Sequence, residues 1–214
     1  MDRRAVIRGL LIAMTLPSVT LPTTASATGD SVTVSATTST LEAFADTVVP
    51  GAKRYSGDAA VAGVAGPPGG ADIGFLDLLR HPLVALGPLL PEMAAGLNVA
   101  ATAYAVAHLI PLPWGLPPFV GLAFPHRTAV LTDLFQRDRP DRLIWILLAL
   151  LVSAAFDSAP HRHTVEALSN GHPGLKFLGF PAVGPDGRWR CAEFSYGRQL
   201  ANPHPATTAK GSPS

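Results

Sequence analysis

Four side chains able to ligate a metal ion fall within the ten residues DSAPHRHTVE: Asp157, His161, His163 and Glu166. Imidazoles two positions apart meet one ion only where the chain between them is extended, because on a helix they diverge. Glu166, three residues beyond His163, would share its face if that stretch were helical. A metal held this way would make the chain a freestanding exported metal-dependent enzyme. An ion pair accounts for the same residues without a metal. Asp157 at the C-terminal end of an apolar helix is disfavoured by the helix dipole unless Arg162 or His161 supplies a cation.

Other chemistries find less support. The glycines of GVAGPPGG, Gly63 to Gly70, lack the GxGxxG spacing of a dinucleotide loop, contain two prolines and follow no strand, so they read as a flexible connector. The single cysteine, Cys191, excludes an internal disulfide and the CxxCH haem motif. No GxSxG, HExxH or GxxxxGK[ST] occurs. His108 lies on the apolar stripe Met93, Leu97, Ala100, Tyr104 and reads as a hydrogen-bonded core histidine. His126, His172 and His204 each adjoin a proline and read as turn or surface residues. The spacing therefore points to no catalytic group and no cofactor-binding or metal-binding residue in this chain.

The elements around these residues read as helices. At 48% hydrophobic and 14% charged, the 214 residues can bury a sizeable core as one domain. A net charge of +1 without a basic stripe gives no footprint for nucleic acid. Residues 1–27 form an export signal: Arg3, Arg4 and Arg8 precede an apolar run that closes on Ala25-Ser26-Ala27, with Ala25 and Ala27 as the small residues of a cleavage site. The paired Arg3 and Arg4 resemble the twin-arginine type, with an ordinary secretory signal as the alternative, and either one is expected to take the protein out of the cytoplasm. The apolar run is too short to remain as a membrane span. Removing three arginines and one aspartate with the signal takes the formal charge to −1.

Residues 28–39 read as a flexible leader. Ser39 and Glu42 form a capping box for a helix that carries Leu41, Phe44, Ala45 and Val48 on one face and ends at Pro50-Gly51. A short helix follows in DIGFLDLLR with Asp72 as N-cap. Another starts near Pro91, PLPWGLPP is an extended loop, and PHRTAVLTDLFQ is a helix with proline in its first turn. RDRPDR is a solvated connection restarted at Asp138 or Pro140. LIWILLALLVSAAF, apolar on all sides but short of a span, is the buried central helix. HTVEALSN is a last short helix, ended by Gly171. The expected architecture is all-α: a small bundle of helices over residues 40–205 around that buried apolar helix. An irregular Gly/Pro/aromatic C-terminal arm packs through Phe177, Phe180, Trp189, Phe194 and Tyr196, and 206–214 form a disordered tail.

An exported chain with an apolar helix ending Asp-x-Val-Val-Pro-Gly, here LEAFADTVVPG, resembles the gluconate 2-dehydrogenase subunit 3-like family. FLDLL, FPHRTAVLTDLF and LIWILLALLVSAAFD follow in the order such proteins show, and GHPGLKFLGFP and FSYGRQLANPHP resemble an actinobacterial branch. The resemblance spans most of residues 40–205. It implies a helical, non-catalytic small subunit without cofactor, which helps a flavin-dependent dehydrogenase of the glucose–methanol–choline type to fold and carries it across the membrane. The FAD is then expected in that partner. The Ala/Gly/Pro-rich insert at 59–71 and the long C-terminal arm depart from the pattern. Trp114, Phe119, Trp189, Phe194 and Tyr196 are the expected partner contacts, because aromatic anchors dominate such surfaces. Self-packing within the monomer is the alternative for each. A secreted helical ligand-binding protein with no partner is the third expectation, beside the metal-dependent enzyme.

Overall fold

The computed structural model describes residues 27–51, 53–55, 57, 58, 68–181 and 184. Eight α-helices lie within these residues, with no strand among them: α1 (Ala27–Val48), α2 (Phe75–Arg80), α3 (Leu90–Ala107), α4 (Pro118–Gly121), α5 (Phe124–Leu134), α6 (Arg142–Ser158), α7 (Thr164–Ser169) and α8 (Pro173–Phe177). A 3-10 turn, Gly87–Leu89, leads into α3. The fold is all-α, as the apolar periodicity predicts.

The helix at the centre is not the one expected. Around α1 pack α2, α3, α4, α5 and α6. Of residues 40–47 in α1 only Glu42 keeps partial exposure. Small side chains make this possible: Ala43 and Ala45 let neighbouring helices approach closely, while Leu41 and Phe44 fill the space between them. Helix α6 buries Ile144, Trp145, Leu148, Val152 and Ala155 on one face. Its opposite face is open, with Leu143, Leu147 and Leu150 left 55%, 36% and 60% exposed. No helix among the described residues is long and apolar enough to cross a membrane.

Several local expectations are corrected. Residues 28–39, expected as a flexible leader, belong to the first half of α1. Ser39 is therefore no cap; inside the helix its hydroxyl donates back to the Ala36 carbonyl at 3.1 Å. Asp72 does not cap α2, whose N-cap is Gly74 in the left-handed region. Instead the Asp72 carboxylate accepts from the Gly69 N–H. Asp141, rather than Asp138 or Pro140, precedes α6. Its carboxylate accepts from the Trp145 indole N–H at 2.8 Å and from Arg139 at 3.0 and 3.1 Å. Burial alone would raise the Asp141 carboxyl, but the Arg139 and Trp145 hydrogen bonds outweigh it and hold the group below its ordinary range. The expected irregular arm contributes a further helix, α8, before the described residues end.

Three helix ends close in one way, with an N–H two residues past the cap reaching back five residues to a carbonyl. These are His172 to Ala167, Phe180 to Leu175 and Ile110 to Ala105. The left-handed residue that this closure requires is Gly171, Gly179 and Leu109, respectively. Glycine takes that conformation without penalty; a leucine is strained there.

Candidate functional site

The acids of LEAFADTVVPG belong to a buried ionic network. Asp46, near the end of α1, accepts the Ala71 N–H at 2.7 Å and is ion-paired with the Arg54 guanidinium. Arg54 also reaches Glu42 at 3.3 Å. Burial draws the Arg54 guanidinium below its ordinary value, and Glu42 opposes that shift. Asp58 accepts from the Phe124 N–H, the Arg54 N–H and the Arg127 guanidinium, the last at 2.8 Å. Arg127 is 1% exposed. It donates further to Thr47 Oγ1 at 3.2 Å, the Leu122 carbonyl at 2.9 Å and the Val120 carbonyl at 3.4 Å. Each of the three guanidinium nitrogens has an acceptor, as a charge in a water-poor interior requires.

Glycines make the close packing possible. A Cβ at Gly51 would stand 2.7 Å from the Gly69 Cα and 2.8 Å from Asp46 Oδ1, and one at Gly70 would overlap the Ala45 carbonyl. The expected flexible connector is thus corrected at its end: Gly69 and Gly70 are seated on the last turn of α1, and residues 63–67 lie outside the described residues. The network ties the loops on either side of residues 59–67 to α1 and α5. Asp46 and Asp58 are engaged and buried, whereas Glu42 remains about one-third exposed beside Arg54.

Arg127 is the residue that sequence reasoning misses. The signal is present: Arg127, Val130, Leu131 and Leu134 occupy one helical face, and all four are buried. A lone arginine on an apolar stripe has to find an acid, and that acid is 69 residues away in sequence.

The candidate metal ligands do not converge. Asp157, His163 and Glu166 are exposed, and His163 is the N-cap residue of α7. Among the described residues no three His, Cys, Asp or Glu side chains are grouped so as to hold a metal ion. Arg162 pairs with Asp77 at 3.8 Å rather than with Asp157. His161 instead packs against His172, ring centroids 6.4 Å apart, and against Gly74, where a Cβ would come within 3.0 Å of Nε2. Both ring nitrogens of His161 are buried without a hydrogen-bond partner. Burial first, and then the Arg162 charge, holds its imidazolium form below the ordinary histidine pKa. His172 is buried too, against the expectation of a surface turn: Nδ1 accepts the Leu175 N–H and Nε2 lies 3.1 Å from the Ile73 carbonyl. His108 is corrected in the other sense. It is exposed at the end of α3 rather than in the core, but it keeps the expected hydrogen bond, with Nδ1 2.9 Å from the Tyr104 carbonyl, and stacks on Tyr104 with centroids 4.1 Å apart.

Of the aromatic residues expected at a partner surface, the structure separates two. Phe119 is fully buried in the core, with its N–H donating to Asn98 Oδ1 at 3.0 Å, and so cannot be a surface anchor. Trp114 is fully exposed. In the same α3–α4 connection Leu109 is 90% exposed, and Val99 and Val106 lie exposed along the outer face of α3. Trp189, Phe194 and Tyr196, like Arg3, Arg4 and Ala25 of the export signal, lie outside the described residues; Ala27 is the first residue of α1.

Residues 35–214 match the model of a family of unknown function, DUF5987, and the chain belongs to that family. No curated protein and no solved structure matches it.

Proposed function

We propose that this DUF5987 member is a non-catalytic accessory subunit that helps a flavin-dependent oxidoreductase of the glucose–methanol–choline type to fold and travels with it through the twin-arginine export route. The observation that carries the reading is the surface around Trp114. The indole of Trp114 is fully exposed, Leu109 in the same connection is strained and exposed, and Val99 and Val106 are exposed on the adjoining helix, beside a well-packed core. Exposed apolar groups of this kind are typical of surfaces that meet another protein. Strain retained at an exposed leucine, where glycine would close the helix without it, agrees with selection for contact rather than stability. The sequence resemblance supplies the class of partner, which would hold the FAD.

The test is co-expression of a flavoprotein encoded beside this chain, with and without it. The flavoprotein should reach the outside, folded and flavin-loaded, only when the chain is present. Arg3→Lys with Arg4→Lys should hold both proteins inside. Export of active flavoprotein without this chain would overturn the reading.

A further inference from the structure

Two histidine rings meet where the α7–α8 unit rests on the start of α2. His161 lies in the loop between α6 and α7, and His172 is the N-cap residue of α8. The rings stand edge to face, with their planes at 63°. His161 lies on Gly74, the N-cap residue of α2, and His172 bonds the carbonyl of Ile73 just before it. We propose that this pair is an acid-sensitive latch: it holds the α7–α8 unit on α2 while both rings are neutral, and releases it locally when they take up a proton.

The hydrogen bonds define the neutral state. His172 Nδ1 accepts the Leu175 N–H, so in the neutral ring the proton sits on Nε2, which donates to the Ile73 carbonyl 99 residues away. A second proton, on Nδ1, would set a donor against the Leu175 N–H in a side chain that is 3% exposed. An imidazolium at His161 would bury two N–H donors with no acceptor. The charged and titratable groups in electrostatic reach of His161 are Arg162 in its own loop, Asp77 and His81 from α2, and His172 from α8. Asp77 is the anion of this set, but it is 61% exposed and already paired with Arg162. Asp157, His163 and Glu166 at the flanking helix ends are exposed and give His161 no hydrogen bond. In the segments that bond His172, the charged residues are Asp72, engaged with the Gly69 N–H, and exposed Lys176.

Packing makes the release local. Ala159, Ala167 and Leu175, with Leu168 against them, form a small apolar cluster separate from the main core. Helix α7 packs on α8, and α8 on α6, where the Phe177 ring meets Phe156 edge-on at 5.9 Å. The unit is tied to α2 through His172 and Ile73, through His161 and Gly74, and through the Arg162–Asp77 pair. That last pair is exposed and 3.8 Å long, so it contributes little. A unit with so small a core of its own opens at a lower free energy than the whole domain. The sign follows from linkage. In the open state both imidazoles are in water and titrate near about 6.5, whereas the docked state favours them neutral. Docking is therefore complete above that value and weakens as pH falls.

Amide exchange of the full chain, followed by mass spectrometry and corrected for the intrinsic effect of pH, reads this opening. Between about pH 7.5 and about pH 5, protection over residues 164–178 should fall about tenfold, while that of α3 stays unchanged. An equal fall in both regions, or none over 164–178, would overturn the proposal. His161→Phe keeps a ring of similar size with no proton to gain, and should cut the acid effect to less than about threefold. Arg162→Gln supplies a second reading at a position exposed enough to leave the fold intact. It removes a cation that opposes the proton in the docked state, so the acid effect should shrink even though a tether is lost. A purely structural role for Arg162 would loosen the unit equally at both pH values. An acid effect as large in both variants as in the parent would overturn the proposal. No flavoprotein is present, so the outcome is independent of the accessory-subunit reading.

Discussion

The Arg127 guanidinium lies 2.8 Å from the Asp58 carboxylate, with both side chains 2% exposed, and the pair joins α5 to a loop 69 residues earlier. Through Thr47 Oγ1 and the Val120 and Leu122 carbonyls, Arg127 also links the last turn of α1 to the α4–α5 turn.

Removing one side of this pair should be severe. Arg127→Met leaves Asp58 buried with an uncompensated charge, and a loss of about 3–5 kcal/mol is expected in urea unfolding. Asp58→Leu combined with Arg127→Met should lose less than the sum of the two single changes, because no lone charge remains inside. Additive losses would mean that the two groups do not form one unit.

Leu109→Gly should stabilise the isolated chain. It removes the left-handed strain of a leucine, about 1–2 kcal/mol, and adds glycine's unfolded-state entropy, about 0.5–1 kcal/mol, so a net gain of about 0.5–1 kcal/mol is expected. At 90% exposure the leucine loses almost no buried area by being replaced. Thermal unfolding measures the gain. If the surface around Trp114 binds a partner, the same variant should bind it less well.

Trp114→Ala separates stability from association more cleanly. The side chain is fully exposed, so the unfolding free energy should stay within about 0.5 kcal/mol of the parent. The complex with the flavoprotein should weaken by about 2 kcal/mol, close to thirtyfold in Kd, as expected for a central aromatic anchor. A loss of stability with unchanged affinity would place Trp114 in the fold rather than in the interface.

His161 should give stability a pH slope. Burial and Arg162 lower its folded-state pKa, with Asp77 opposing and His172 and His81 adding to the depression. The unfolded chain therefore binds the proton first. The stabilising contribution of neutral His161 is complete above the unfolded value of about 6.5 and is lost as pH falls through the lower folded value. His161→Phe should flatten this part of the stability curve, measured by urea midpoints between about pH 5 and pH 8. A slope that is identical in the variant would assign it to another group.

Much of the architecture can be read from periodicity. α3 and α5 begin with proline in the first turn as expected, PLPWGLPP is irregular except that its last residue, Pro118, opens the unexpected α4, and the described residues are all-α. These features are set by local chemistry: proline fixes φ, and a 3.6-residue apolar repeat needs a helix to gather it. For α1, the stripe Leu41, Phe44, Ala45 and Val48 marks the second half and its end correctly, whereas the small polar residues of 28–39 suggest a leader although the helix runs through them. Sequence reasoning fails on Phe119, since burial depends on the elements that close over a side chain.

What the sequence determined by itself was the helical class, the starts of α3 and α5, and the stops of α1 and α7. Tertiary structure alone decided that α1 lies at the centre, that α6 keeps an open face, and that Asp46, Arg54, Asp58 and Arg127 meet. Local spacing governs which residues share a helical face. Which face is covered, and which distant acid neutralises a buried arginine, depends on packing between segments far apart in the chain, and burial makes that pairing obligatory.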